Sequence, residues 1–247
     1  MNDKIAKLVQ IIQDSNRIVF FGGAGVSTAS GIPDFRSSEG IYSKKLDKHF
    51  SPEQAVSHSF FIHHPEDFYE FYKKNLVYPK AEPNDCHKAL ARLEAMGKLK
   101  AIVTQNIDGL HQAAGSQKVY ELHGSVLRNY CMKCHKFYDE DYVLTVEGVP
   151  LCEKCGGVVK PDVVLYEEGL DQEVISRAVS AIAMADTLII GGTSLMVYPA
   201  AGLIDYFRSS NLVLINKSST SAENKADLVI YDDIAKVMKE AVDAIDS

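Results

Sequence analysis

An α/β fold, built on a parallel sheet with helices on both faces and carrying a small second lobe, is what this sequence predicts. Three observations predict it. Short runs rich in β-branched and aromatic residues alternate with segments of helical period along most of the chain. The first such run feeds into a glycine-rich loop, the arrangement by which parallel sheets bring backbone N–H groups to a phosphate. From Arg128 to about Lys160 that order lapses, and cysteines, glycines and short polar turns replace the apolar runs. A chain of 247 residues with 46% hydrophobic residues is long enough for one large core and a smaller lobe.

The elements follow in order. Lys4 to Asp14 sets Ile5, Leu8, Val9 and Ile12 on one face, the spacing of an amphipathic helix. Arg17 to Phe21 reads as a buried parallel strand. Gly23-Ala24-Gly25 comes next, but Thr28 stands where the dinucleotide fingerprint has its third Gly or Ala. The fingerprint also needs a second strand ending in an acid about 20 residues on, and Tyr42 to His64 holds no strand-like run. A hydride-transfer dehydrogenase is disfavoured on both counts. Residues 37–83 are aromatic and punctuated by proline, with a helix predicted around Pro65 to Leu76. Asn84 is an N-cap candidate for a helix running to Met96, and Gly97 suits the position just past its end. Leu99 to Thr104 and Val119 to Leu122 are the next strands, and apolar order returns at Val163-Val164-Leu165 after the cysteine-bearing stretch. A helix from Gln172 to Met184, strands at 187–190, 212–215 and 228–230, a helix after Pro199 and another from Ile234 complete the chain.

The charge balance is 26 basic against 33 acidic residues, a net −7. That excess disfavours sequence-independent nucleic-acid binding and attracts lysine-rich protein segments. The absence of an apolar run of roughly 18 residues, and of a signal-peptide core near Met1, leads us to expect a cytoplasmic protein with no membrane partner. Cys131, Cys134, Cys152 and Cys155 form two Cys-x-x-Cys pairs with 17 residues between them, within the roughly 15–20 of a four-cysteine zinc site. A disulfide framework competes, but nothing suggests secretion, so one structural zinc ion is expected. His135, beside Cys134, is then not needed as a ligand and is expected at the surface.

Four motifs carry more specific information: Gly23 to Arg36 (Gly-Ala-Gly-Val-Ser-Thr-Ala-Ser-Gly-Ile-Pro-Asp-Phe-Arg), Thr104 to His111 (Thr-Gln-Asn-Ile-Asp-Gly-Leu-His), Leu122-His123-Gly124-Ser125, and the cysteine pairs. Taken together, and continued through Gly192-Thr193-Ser194-Leu195 and Asn216, they resemble the sirtuin family of NAD-dependent protein-lysine deacylases, of the bacterial single-domain type. The resemblance implies a Rossmann-like NAD-binding domain from residues 1–36, 84–127 and 161–247, a helical insertion at 37–83 with a cofactor-binding loop, and a zinc ribbon at 128–160. It assigns His123 as general base, with Asn106 also catalytic, and histidine suits the role because its pKa lies near neutrality. It places Ala24, Thr28, Phe35, Arg36, Gln105, Asn106, Ile107, Asp108, His123, Gly192, Thr193, Ser194, Asn216, Lys217, Asp233 and Ile234 on the dinucleotide. Asp108 is expected to take the nicotinamide carboxamide, whose N–H groups a carboxylate can accept. Val164, Tyr166, Leu195 and Val197 are expected to meet the peptide substrate.

Two departures from the family pattern stand out. The segment that pairs with substrate, Phe-Gly-Glu in the family, reads Tyr166-Glu167-Glu168 here. Members that remove succinyl or malonyl groups pair a Tyr with an Arg three residues later, whereas Tyr72 here is followed by Asn75. Acetyl-lysine is therefore the expected acyl substrate. The implied reaction consumes NAD: the acetyl oxygen attacks C1′ of the nicotinamide ribose, His123 relays a proton from the ribose hydroxyls, and lysine and O-acetyl-ADP-ribose are released. Mono-ADP-ribosyl transfer, removal of other acyl groups and a non-catalytic NAD-sensing module are the alternatives.

Overall fold

The computed structural model describes residues 3–38, 40–43 and 50–245. Along them run strands β1 (Ile18–Gly22), β2 (Leu99–Thr104), β3 (Val119–Glu121), β4 (Gly124–Cys131), β5 (Phe137–Tyr138), β6 (Val159–Val163), β7 (Thr187–Gly191), β8 (Asn211–Ile215) and β9 (Leu228–Ile230). The α-helices are α1 (Asp3–Asp14), α2 (Pro52–Ala55), α3 (His58–His63), α4 (Pro65–Asn75), α5 (Asp85–Ala95), α6 (Leu110–Ala113), α7 (Glu140–Thr145), α8 (Gln172–Ala183) and α9 (Ile234–Asp243).

The main sheet has the order β3-β2-β1-β7-β8-β9, and every pairing in it is parallel. Strands covered on both faces must be apolar at successive positions, and β1 and β7 are buried throughout. Ile18 and Phe20 face a core with Leu8 and Ile12 of α1, Leu90 and Leu93 of α5, and Val237 and Met238 of α9. Val19 and Phe21 point the other way, into a core with Ala178 and Ile182 of α8 and Leu203. The four residues predicted to line the buried face of α1 all do so. Because β2 leaves β1 on one side and β7 flanks it on the other, a crevice opens at the carboxyl ends of these strands, where open α/β sheets bind ligands.

β4, β5 and β6 form a separate antiparallel sheet. The insertion packs against it: Phe61, Phe68, Tyr69 and Tyr72 share a core with Val126, Tyr138 and Val159, and the Tyr69 hydroxyl donates to the Val159 carbonyl. This sheet begins at Gly124, directly after His123, earlier than the change in composition at residue 128. Gly124 has φ +74°, and a Cβ there would lie 1.9 Å from the Asp162 carbonyl oxygen, so the chain can turn out of the main sheet only at a glycine.

One helical expectation changes in kind. The segment after Pro199 is a 3₁₀ helix, Ala200–Tyr206, with Gly202 in its middle. After β1, two 3₁₀ turns (Ala24–Val26 and Thr28–Ser30) replace the α-helix that a dinucleotide fingerprint would start. Gly31, with φ +84°, and Pro33 end the second turn and lead the chain into the insertion.

Candidate active site and metal centre

The loops after β1, β2 and β7 are tied to one another. Gly25 N–H donates to the Gly192 carbonyl at 2.8 Å. Gly192 has φ +59°, and a Cβ on it would stand 2.4 Å from the Val26 nitrogen. These glycines are therefore required by the approach of one strand-end loop to another, whatever ligand binds above them. From β2, Gln105 Nε2 donates to Thr193 Oγ1 at 3.0 Å, closing the set.

Within that frame a short polar chain is buried. Asn106 Nδ2 donates to Ser27 Oγ at 3.0 Å, and Ser27 Oγ donates to Asp108 Oδ2 at 2.6 Å. Asp108 Oδ1 accepts the Leu110 N–H at 2.9 Å. Both Ser27 and Asn106 are buried. Sequence reasoning does not single out Ser27, although its hydroxyl between Gly25 and Thr28 lies on a loop that faces Asp108. His123 stands beside this chain, its Nδ1 2.9 Å from the Gln105 carbonyl oxygen. A carbonyl can only accept, so Nδ1 carries the proton and Nε2 is a bare acceptor. Burial lowers the His123 pKa from its ordinary value, against the opposing pull of the Gln105 carbonyl, which favours the neutral base at neutral pH.

In the small lobe the sulfurs of Cys131, Cys134, Cys152 and Cys155 all lie within 4.8 Å of one another. Cys131 and Cys155 are 3.4 Å apart and Cys134 and Cys152 3.5 Å, and all four are free thiols. Tetrahedral zinc with Zn–S near 2.3 Å sets its sulfurs about 3.8 Å apart, so the cluster fits that ion and not a disulfide framework. The N–H groups of Lys133 and Cys134 donate to Cys131 Sγ at 3.4 Å, and the Tyr138 hydroxyl to Cys152 Sγ at 3.2 Å, as thiolate ligands require. Four cysteines close the shell and leave no position for water, so this centre is structural. His135 is exposed at the rim.

Comparison with known proteins agrees with this geometry. The model of the Sir2 family matches residues 23–199. An NAD-dependent protein deacetylase of Clostridium perfringens (strain 13 / Type A) is 69% identical over 244 residues, covering 98% of this chain and 100% of that protein. A structure from work on the mechanism and regulation of Sir2 enzymes superposes with a TM-score of 0.90 at 38% identity, covering 100% of this chain and 99% of that one. A Sir2–p53 peptide–NAD+ complex does so at 0.85 and 36%, covering 99% and 98%. The chain belongs to the Sir2 family.

The remaining residues singled out on the Sir2 pattern fall in several places. Ala24 and Thr28 line the loop after β1, where Thr28 Oγ1 donates to the Gly25 carbonyl at 3.0 Å. Ile107 packs toward the small lobe, and its carbonyl accepts the Val126 N–H at 2.9 Å. The Phe35 ring meets Tyr42 at 5.4 Å, and the Arg36 guanidinium lies 5.4 Å over the same Tyr42 ring. Arg36 Nη2 also donates to the Tyr166 hydroxyl at 3.3 Å, so Tyr166 touches the loop that follows β1. Glu168 N–H donates to the Leu165 carbonyl at 3.0 Å, closing a β-turn whose third residue, Glu167, has φ +75°. Glycine is the easy residue there. Here Glu167 Oε2 accepts both the N–H and the hydroxyl of Ser59, at 2.9 and 2.6 Å, which offsets the strain and ties the turn to α3. Val164 N–H donates to the His123 carbonyl at 3.0 Å, which sets the chain at Val164 directly against His123.

Ser194 is exposed at the cleft, Val197 half-buried, and Leu195 buried at φ +55°. Asn216 and Lys217 follow β8, with Lys217 Nζ 2.8 Å from Asp233 Oδ2. Asp233 also caps α9. The Ile234 side chain points into the core against Gly191, so only its backbone faces the cleft side. Two cavities of about 440 and 400 Å³ lie elsewhere, one between β3 and α8 and the other by Arg17, Lys100 and Met184. The tied loops and their buried polar chain, rather than cavity volume, mark the site.

Proposed function

We infer that this chain is an NAD-dependent protein-lysine deacetylase. The observation that carries it is His123, whose Nδ1 is committed to the carbonyl of Gln105, the residue before Asn106 of the Ser27–Asn106–Asp108 chain, which leaves Nε2 without a proton. NAD enters as a substrate: acetyl-lysine, NAD and water become lysine, O-acetyl-ADP-ribose and nicotinamide.

The residues divide the work. His123 Nε2 accepts the proton of a ribose hydroxyl, and the Gln105 carbonyl stabilises the imidazolium that forms. Asp108, oriented by Ser27 and by the Leu110 N–H, takes the carboxamide N–H groups, with Asn106 beside it. Arg36 offers guanidinium donors to the pyrophosphate, and Ala24, Thr28, Gly192, Thr193, Ser194, Asn216, Lys217 and Asp233 surround the rest of the dinucleotide. Val164, Tyr166, Leu195 and Val197 border the peptide. The chain divides functionally into the dinucleotide-binding part, the helical insertion at 37–83 and the zinc ribbon at 128–160. No helix among the described residues is long and apolar enough to cross a membrane. We place the protein in the cytoplasm, where a four-thiol centre stays reduced.

The test is mass spectrometry of the products after incubation with NAD and an acetyl-lysine peptide. Free lysine, nicotinamide and O-acetyl-ADP-ribose in equal amounts are expected. An ADP-ribosylated peptide would establish transferase chemistry instead, and binding of NAD without turnover would establish a sensing module.

A further inference from the structure

Asn84 has the sequence signature of a helix cap, and it is one: its Oδ1 accepts the Cys86 N–H at 2.9 Å at the start of α5. The other end of the same amide does something a cap does not require. Both hydrogens of Nδ2 leave the helix and reach the loop after β1, donating to the Val26 carbonyl at 2.8 Å and to Ser30 Oγ at 2.9 Å. Val26 ends the first 3₁₀ turn of that loop, where a carbonyl lacks a partner within its own helix. Val26 and Ser30 flank Ser27, the hydroxyl that joins Asn106 to Asp108.

The support behind Asn84 is rigid. α5 packs its Leu90 and Leu93 into the main core with α9. The Asn84 N–H donates to His87 Nδ1 at 3.2 Å, which places the His87 proton on Nε2. His87 is fully buried, feels the charge of Asp108, and meets the His111 ring at 4.7 Å. One side chain thus refers the glycine loop to a fixed helix from the side away from the cleft.

We propose that Asn84 is a positioning residue for NAD: its amide holds the loop at Val26 and Ser30 in the geometry that keeps Ser27 on Asp108. The proposal rests on the reading of this site as the dinucleotide site, so NAD binding by the native protein is measured first. Failure of that binding would remove the reading itself, a result distinct from those that follow.

Asn84→Asp and Asn84→Ser separate the two roles. Both residues cap helices about as well as asparagine, but neither supplies the two amide donors, and aspartate turns an oxygen toward the Val26 carbonyl. In the zinc-loaded full-length protein, NAD affinity is read by calorimetry, and kcat and both KM values with an acetyl-lysine peptide. The melting temperature is followed in parallel. Loss of two neutral hydrogen bonds corresponds to about a tenfold weakening or more. We expect the Kd and KM for NAD to rise by about that factor, more for Asn84→Asp. The kcat and the peptide KM should stay within about twofold, and the melting temperature within a few degrees. Unchanged NAD affinity in both variants would overturn the proposal. So would a lowered melting temperature with equal loss in every kinetic constant, which would make Asn84 a helix cap only.

Discussion

The two regions that meet at His123 are held together by different forces. The parallel sheet is covered on both faces, its central strands β1 and β7 are buried at every position, and helices on each side lock it. The loops at its carboxyl ends inherit that rigidity and join further through Gly25, Gly192, Gln105 and Thr193. The small lobe has a sheet of three strands, one of them only Phe137–Tyr138, and leaves Leu127, Met132, Phe137 and Leu151 exposed. Its order comes from four thiolates and from the aromatic face of α4. The strand-end loops are held by the core of their own sheet, and the small lobe depends on a four-cysteine metal site that leaves no open position for chemistry.

The largest expected effect would break the weaker region alone. Cys131→Ser should release zinc, unfold the lobe and abolish activity, because folding of such a site is coupled to metal binding. The main sheet should keep most of the far-ultraviolet circular dichroism. Full zinc content in that variant, measured by atomic emission, would refute the assignment. Strong chelators should inactivate the native protein slowly, by the same route.

In the stronger region, His123→Ala should cost the roughly 10²–10⁴-fold typical of a general base, while NAD affinity changes little. Collapse of NAD binding in that variant, read by calorimetry, would make His123 a structural residue.

Acid sharpens the comparison from another direction. Burial lowers His87 to about 4, against a raising influence from Asp108, and lowers His111 to about 3, with His87 adding to the effect. Both are neutral in the folded chain and gain protons more readily when unfolded. Stability from this pair is therefore complete above the ordinary histidine value and falls as pH drops from about 6.5 toward 4, by on the order of 1 kcal/mol per pH unit for each group. Urea titrations at pH 7.5 and 5 should show the loss in the main sheet, and its absence would mean that these rings are hydrated.

The smallest effect concerns the insertion. Asn75 is buried and its Nδ2 spends one hydrogen on the Phe71 carbonyl at 3.0 Å, so it offers a substrate carboxylate neither a charge nor a bidentate pair of donors. Lys73 is committed to the carbonyls of Val146 and Gly148. An acetyl peptide should therefore exceed its succinyl counterpart in kcat/KM by about tenfold or more, since a buried carboxylate without a partner is costly. Tyr72→Phe should alter acetyl turnover less than about twofold. Equal turnover of the two peptides would point to Lys74 as the missing cation.

Much of this was legible without coordinates. Ile5, Leu8, Val9 and Ile12, the Asn84 cap, the strand Leu99–Thr104 and the cysteine spacing each depend on a few neighbouring residues and on local periodicity. Such features are written within one or two turns of chain, where backbone geometry alone decides which side chains share a face. The role of the glycines was not legible, because Gly25 and Gly192 are needed for a contact between loops far apart in sequence. Nor was Ser27, whose partner Asp108 lies 81 residues away. Residue type could not separate His123 from His87 and His111. What separates them is the Gln105 carbonyl, which sets the tautomer of the first, and the burial that keeps the other two from solvent. The sequence by itself determined most elements of the main sheet, the face of α1 that enters its core, and the metal ligands, because hydrophobic period and ligand spacing act locally. Only the tertiary structure decided which polar atoms face one another across the strand ends, because that depends on how separate strands register in one sheet.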